Sequence, residues 1–503
     1  VALHRTAYLL YTWREQLANT GVLIVGPNPR FLDYISRVLP SLGETGVVLR
    51  TIADLYPGVS GTGEESLATR EVKGSEEMTH ILRQAVRDRQ PDLAEAETVT
   101  FDGVELAITP AMVRAARTRA RRSRKPHNLA RPLFREHLVE SLARLLADRI
   151  GADPLGGENL LSTTDVADLR DELDDMWPEL TPEELLTDLL ESEDRIASAA
   201  AEYDDATRAA LLRPAGTPMG PSDPPLLDER AELLGDVADV GDEREWWREQ
   251  IADAQDALDI LTGSAQQELD DGSDAEILMA YDLIDAEALA ERHRDRDVRS
   301  TADRAAGDRE WTYGHVIVDE AQELSAMAWR MVRRRSPNGW MTIVGDIAQT
   351  GSPAGAESWA GALDPIIGDR WRLHRLTINY RTPAEIMDVA ADVLAHIAPE
   401  AEPPRSIRST GRAPVRVDAI GRAVDIARGQ SGDSRLIAVI APAARLGEVT
   451  GLLDDADVSV HDVVDAKGLE FDEVTLFDPD AIVTESPQGL QDLYGAPTRA
   501  TQG

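Results

Sequence analysis

The stretch "HVIVDEAQEL", His315 to Leu324, ends an apolar run on two adjacent carboxylates, Asp319 and Glu320. The run reads as a buried strand, and parallel sheets present the carboxyl ends of their strands to the ligand crevice. One carboxylate at such an end can hold Mg²⁺, usually through water, because Mg²⁺ favours oxygen ligands. Its neighbour can orient and deprotonate an attacking water. Two acids before a helical segment also have a plainer reading, since the helix macrodipole favours negative charge there. Further segments extend the chemical one. "TIVGDIAQT" puts Gly345, Asp346 and Gln349 at the end of the next expected strand, where a Gln amide can touch both the attacking water and a phosphate oxygen. "INYRTP" puts Tyr380 and Arg381 after another strand. Tyrosine can stack on a base, and arginine can neutralise charge on a transferring phosphoryl group. "DAKGLEFDEV" supplies Lys467, Gly468 and Glu470 just before a further strand, and "TRA" supplies Arg499.

The elements expected to position these residues are α/β in character. Over residues 1–60, helical periodicity in "VALHRTAYLLYTWREQLA" leads into "GVLIVGPNP", a buried strand ending in a turn. A helix through "RFLDYISRVLPSL" and a strand in "GVVLRTIADLY" follow. Over 61–305 apolar residues recur at helix spacing and strands are hard to find. In "LTPEELLTDLL", Thr181 can cap a helix, Pro182 fits its first position and Glu184 completes a capping box. "RPAGTPMGPSDPP" and "DDGSDAE" read as loops. From about residue 306, strands return in "HVIVDE", "GWMTIVGD", "WRLHRLTINY", "APVRVDAI", "SRLIAVIAP", "DVSVHDVV" and "FDEVTLFDP". They alternate with helical stretches such as "TPAEIMDVAADVLAHI", the pattern of a parallel sheet with crossover helices. The expectation is one α/β domain over 1–60 and 306–365, interrupted by a helical insertion over 61–305, and a second α/β domain over 366–503.

The 503 residues contain no cysteine, which excludes disulfides and thiolate zinc sites. No apolar run of about 18 residues suggests a membrane span, and no signal peptide is legible, so a cytoplasmic protein without membrane contact is expected. The net charge is −39. About three-quarters of it falls in residues 151–300, a block charge that repels nucleic-acid phosphate and suits a basic partner surface. A solubility-promoting acidic face is the other reading. Residue 1 is Val and the chain opens directly in helical periodicity, so it is read as an internal piece of a longer protein.

In order, VDEAQ, GDIAQ, NYRTP, AKGLEFD and TRA resemble motifs II to VI of the superfamily 1 helicases of the UvrD/Rep type. Within that superfamily, "ALHRTAYLLYTWR", "GVLIVGPNPRFLDYISRVLPSLGE" and "DEAQELSAMAWRMVRRRSP" are similar to the HelD/HelR family, motor ATPases associated with RNA polymerase. The resemblance implies two RecA-like parallel-sheet domains of the P-loop NTPase fold, here incomplete, and a helical insertion that enters the polymerase main channel. It implies ATP and Mg²⁺ as cofactors, RNA polymerase core as partner, and DNA or RNA as the nucleic acid displaced in the nucleoid. By match, Asp319 would hold Mg²⁺ through water, and Glu320 would be the general base. Gln349, Arg381 and Arg499 would contact the γ-phosphate. Tyr380 would stack on adenine, Glu470 would bind the ribose, and Gly468 would lie beside the nucleotide. A repair helicase that unwinds DNA and a non-catalytic acidic polymerase-binding protein are the alternative functions.

This chain departs from the pattern in three places. No G-x-x-x-x-G-K-[ST] occurs, and "VKGSEE" lacks both the glycine loop and the hydroxyl after lysine. The phosphate-binding loop is expected upstream of Val1, so this piece alone should hydrolyse ATP poorly or not at all. In "LYGAPTRATQ", Gly495 and Pro497 weaken the turn before Arg499, which puts that residue's placement in doubt. "TGSPAGAESWAG" separates GDIAQ from Trp359, which puts base stacking by Trp359 in doubt. The basic run Arg114 to Arg131 reads mainly as a solvated helix face, without interleaved aromatics for nucleic acid. Trp246 and Trp247 read as packing residues. His4, His315 and His461 have no metal-ligand spacing.

Overall fold

A computed structural model describes residues 2–13, 17, 20–38, 47–101, 103–151, 169–235, 305, 307–417, 422, 425–426, 435–453 and 458–503. The strands, in chain order, begin with β1 (Val22–Val25), β2 (Val47–Arg50), β3 (Glu97–Phe101), β4 (Val104–Ile108), β5 (His315–Val318) and β6 (Met341–Ile343). They continue with β7 (Ile378–Asn379), β8 (Arg405–Ser406), β9 (Ile437–Ile440), β10 (Ser459–His461) and β11 (Glu473–Leu476). The chain divides into two compact units, one of residues 1–84, 186–229 and 301–503, the other of 85–185 and 230–300.

The first unit is mixed α/β. Its main sheet has the order β2-β1-β5-β6 with every pairing parallel. β1 (VLIV) and β5 (HVIV) are buried along their whole length, as expected of central strands covered on both faces. Each apolar side chain there contributes roughly 1.5–3 kcal/mol by leaving water. Helix Pro29–Val38 covers β1 with Phe31, Leu32 and Ile35. A second parallel sheet, β10-β9-β11, packs Val439 and Phe477 against helix Leu446–Leu453. β7 and β8 form a separate parallel pair of two residues each. "WRLHRLTINY" was expected to be a longer strand, but Leu373, Leu376 and Ile378 are exposed, and only Ile378–Asn379 pairs. In "APVRVDAI", residues 413–417 form no strand, and the rest of that segment lies outside the described residues.

Buried ion pairs fix residues 223–229, the first part of the helix Asp223–Leu234, to the α/β core of this unit. Asp228 is fully buried and accepts from Arg335 at 3.0 Å and from Arg334. Glu229 takes Arg330 through two nitrogens, at 2.7 and 3.0 Å. Lys73, from "VKGSEE", donates to Glu65 at 2.7 Å and to Asp223 at 2.6 Å, all three buried. Here Lys73 holds carboxylates, not phosphate.

The second unit carries the antiparallel hairpin β3–β4, which the helical reading of 61–305 misses. Gly103 turns the hairpin at φ +81°, a conformation open to glycine. The inward residues Val99, Phe101, Leu106 and Ile108 pack with Phe134, Leu138, Leu142 and Trp177. The basic run is only partly solvated. Arg117, on helix Pro110–Arg122, is buried and donates to Asp92 at 2.9 Å and to the Met176 carbonyl at 3.1 Å. The cap at Thr181 forms as expected: its hydroxyl accepts from the Glu184 amide at 3.3 Å and meets the Glu184 carboxylate at 2.9 Å. "DDGSDAE", Trp246 and Trp247 lie outside the described residues.

Candidate active site

In the order β2-β1-β5-β6, the chain moves outward one way after β1 and the other way after β5. The crevice of such a sheet opens at the carboxyl ends of the strands on either side of that reversal. Asp319 and Glu320 leave β5 at this point, and the Asp319 amide still pairs with the Val25 carbonyl of β1 at 3.0 Å. Glu320 is left-handed, φ 50° and ψ 41°. Such a conformation costs a non-glycine residue on the order of 1 kcal/mol and collects at functional sites. It is held by contacts on every side. The Glu320 amide donates to Asp319 Oδ1 at 3.1 Å. Its Oε2 accepts from Gln322 Nε2 at 2.8 Å, and its Oε1 from Arg499 Nη1 at 3.2 Å.

β6 delivers the second set. Gln322 Oε1 accepts from the Asp346 amide at 3.0 Å, which ties the turn after β6 to the turn after β5. A side chain at Gly345 would lie 2.4 Å from that Gln322 oxygen and 2.9 Å from the Trp359 ring, so glycine is required by close approach. Asp346 caps the short turn Ile347–Gln349 and accepts from Gln349 Nε2 at 3.0 Å. Gln349 Oε1 in turn accepts from Arg499 Nη2 at 3.0 Å. Trp359 opens helix Trp359–Ile367, half-buried against Gly345.

Arg499 thus bridges Glu320 and Gln349 from the far end of the sequence, with both members of its ion pair largely buried. Gly495 and Pro497 do not prevent this placement. A Cβ at Gly495 would stand 3.4 Å from Gln349 Oε1 and 3.9 Å from Arg499 Nη2, and Pro497 opens the tight turn Pro497–Arg499. The doubt that these two residues raised over Arg499 is therefore not met by the geometry.

The electrostatics separate the two adjacent acids. Burial, reinforced by the neighbouring Glu320 charge, pushes Asp319 up to about 6. Burial also acts to raise Glu320, but the Arg499 charge, the Gln322 hydrogen bond and Lys467 outweigh it and hold Glu320 below the ordinary carboxylate range. Asp346 is raised by burial. The two neighbouring carboxyls are thus pushed apart, Asp319 up and Glu320 down.

The other expected residues stand at the margin. Arg381 pairs with Glu470 at 2.8 Å and reaches the Thr498 carbonyl at 3.3 Å, next to Arg499. The Asn379 side chain sets this turn by accepting from the Arg381 and Thr382 amides. Tyr380 is 62% exposed. Gly468, at φ +80°, lies against the Phe31 ring. His315 meets Thr342 at 2.9 Å and His461 meets Arg30 at 2.8 Å. No group of three or more metal-ligating side chains occurs among the described residues. Among them, no helix is long and apolar enough to cross a membrane.

Sequence reasoning passed over Gln322, Glu323 and Asp492. The first two lie inside "DEAQEL" and have a visible signal in their spacing; Asp492 has none. Gln349, Lys467, Asp492 and Arg499 line a hollow with space for little more than one water. No protein-family model matches the chain, and no curated protein matches it.

Proposed function

We propose that this chain carries the hydrolytic face of a superfamily 1 motor ATPase, nearest the HelD/HelR type. On this reading it has two RecA-like lobes and removes RNA polymerase core from DNA or RNA. The observation that supports it most is the meeting of Glu320, Gln349 and Arg499, drawn from three distant segments, at the carboxyl end of β5. Asp319 offers a hard oxygen donor for Mg²⁺, and Arg499 is a cation suited to a phosphate oxygen. MgATP would supply the electrophilic phosphorus and the leaving group. Glu320 accepts the proton of the attacking water, Gln349 orients that water, and Arg499 and Arg381 offset developing negative charge. Tyr380 would offer a stacking face, and Glu470 and Gly468 would contact the nucleotide. The net charge of −39, concentrated in residues 151–300, supports a basic partner surface.

A second reading, a non-catalytic acidic polymerase-binding protein, is favoured by one observation. The hollow lined by Gln349, Lys467, Asp492 and Arg499 has room for about one water. Binding to RNA polymerase core over a salt series, with MgATP hydrolysis followed in the same samples, separates the two. The motor reading predicts salt-weakened binding and slow hydrolysis that Glu320→Gln abolishes. Binding with no nucleotide effect supports the second reading, and no polymerase binding at low salt overturns both.

A further inference from the structure

We infer that Lys467 is a positioning residue that ties the loop carrying Gln349 to the turn carrying Glu320. This rests on the hydrolytic reading of the site. The Lys467 ammonium is buried and lies 2.8 Å from Glu323 Oε1 and 3.5 Å from Asp492 Oδ1. The same Glu323 oxygen accepts from the Gly351 amide at 2.9 Å. One oxygen therefore holds both the lysine and the backbone two residues beyond Gln349. Glu323 is itself fixed to the catalytic turn, because its amide donates to the Glu320 carbonyl at 3.0 Å. Glu323, Gly351, Gln349, Arg499 and Glu320 close a ring, and Lys467 clamps from outside the Glu323 oxygen that joins it to Gly351.

The lysine is held from behind as well. Its carbonyl accepts from Asn28 Nδ2 at 3.1 Å, from the loop that follows β1. Arg30, in the first turn of the helix Pro29–Val38, pairs with Asp465 at 3.1 Å. Gly468 presses on Phe31, where a Cβ would come within 2.6 Å of the ring. A Cβ at Gly351 would fall 2.2 Å from Lys467 Nζ and 2.4 Å from Asp492 Oδ1, so backbone and ammonium are packed without slack. A charge-assisted bond in a buried ring transmits position, since the alternatives leave a carboxylate unpaired. Lys467 has no hydrogen bond to Glu320, Gln349 or Arg499; it holds position through Glu323, and its charge also acts on Glu320.

Hydrogen exchange of the full chain tests this without nucleotide. In Lys467→Met and Glu323→Gln, exchange over residues 346–351 should rise by about tenfold or more, the size expected for losing a bond to a charged group. Exchange in β1 and β9 should stay unchanged. Unchanged exchange over 346–351 in Lys467→Met would overturn the inference, as would a rise spread equally over the unit, which marks a merely structural cation. Where the wild type hydrolyses MgATP, Lys467→Met should lower kcat with KM retained. A wild type with no turnover and no nucleotide binding counts against the proposed function, while the exchange pattern still decides the role of Lys467.

Discussion

Replacing Asp319 by Asn should stabilise the first unit at pH 8 and leave it nearly unchanged near pH 4. The carboxyl group is raised from 3.8 to about 6, chiefly by burial and then by the Glu320 charge. Keeping it ionised therefore costs roughly 3 kcal/mol. The sign follows from proton binding. Between the ordinary and the raised value the native state holds a proton that the unfolded chain has released, so stability is greatest below about pH 4 and is lost as pH rises through 6. Glu320 works the other way, since its lowered value adds stability that is lost on acidification. Asparagine removes only the Asp319 term, because its Oδ1 can still accept the Glu320 amide at 3.1 Å. Hydrogen exchange of the β5 amides at pH 4 and 8, corrected for intrinsic rates, isolates this unit from the other. The predicted gain is about 2–3 kcal/mol at pH 8 and under about 0.5 kcal/mol at pH 4. An equal effect at the two pH values, or destabilisation at pH 8, would refute the reasoning. A gain would also mark Asp319 as a residue kept at the expense of stability, the usual trade at functional sites.

Asp228→Asn should destabilise the first unit by roughly 3–5 kcal/mol, seen as an earlier denaturant midpoint, because Arg334 and Arg335 lose a fully buried carboxylate. Gly468→Ala should cost about 2–4 kcal/mol by the same measurement, combining strain at φ +80° with a Cβ 2.6 Å from the Phe31 ring.

The parts of the fold that were legible in sequence are those where local pattern and burial agree. "VLIV", "HVIV" and "IAVI" are short apolar runs between turns, and each became a buried parallel strand. "WRLHRLTINY" carries similar residues, but its apolar side chains face solvent, so periodicity overstated the strand. The hairpin β3–β4 had a signal, alternation on both sides of a glycine, that was masked by the helical spacing around it. At the site, residue types and order pointed to Glu320, Gln349 and Arg499. The contacts that hold them were not legible, because Asn28 to Lys467 and Arg499 to Glu320 join segments 439 and 179 residues apart. The effect of Gly495 was misjudged for the same reason. As a helix residue it is weak, but Gln349 and Arg499 meet beside it all the same.

The most direct measurement is the titration of the full chain with a fluorescent ATP analogue and Mg²⁺, beside Arg499→Ala and Glu320→Gln. If Glu320, Gln349 and Arg499 close on a triphosphate, the wild type binds, removing Arg499 weakens binding by about tenfold or more, and Glu320→Gln retains binding but loses hydrolysis. Equal binding by wild type and Arg499→Ala, or none by either, would contradict a nucleotide site at the end of β5.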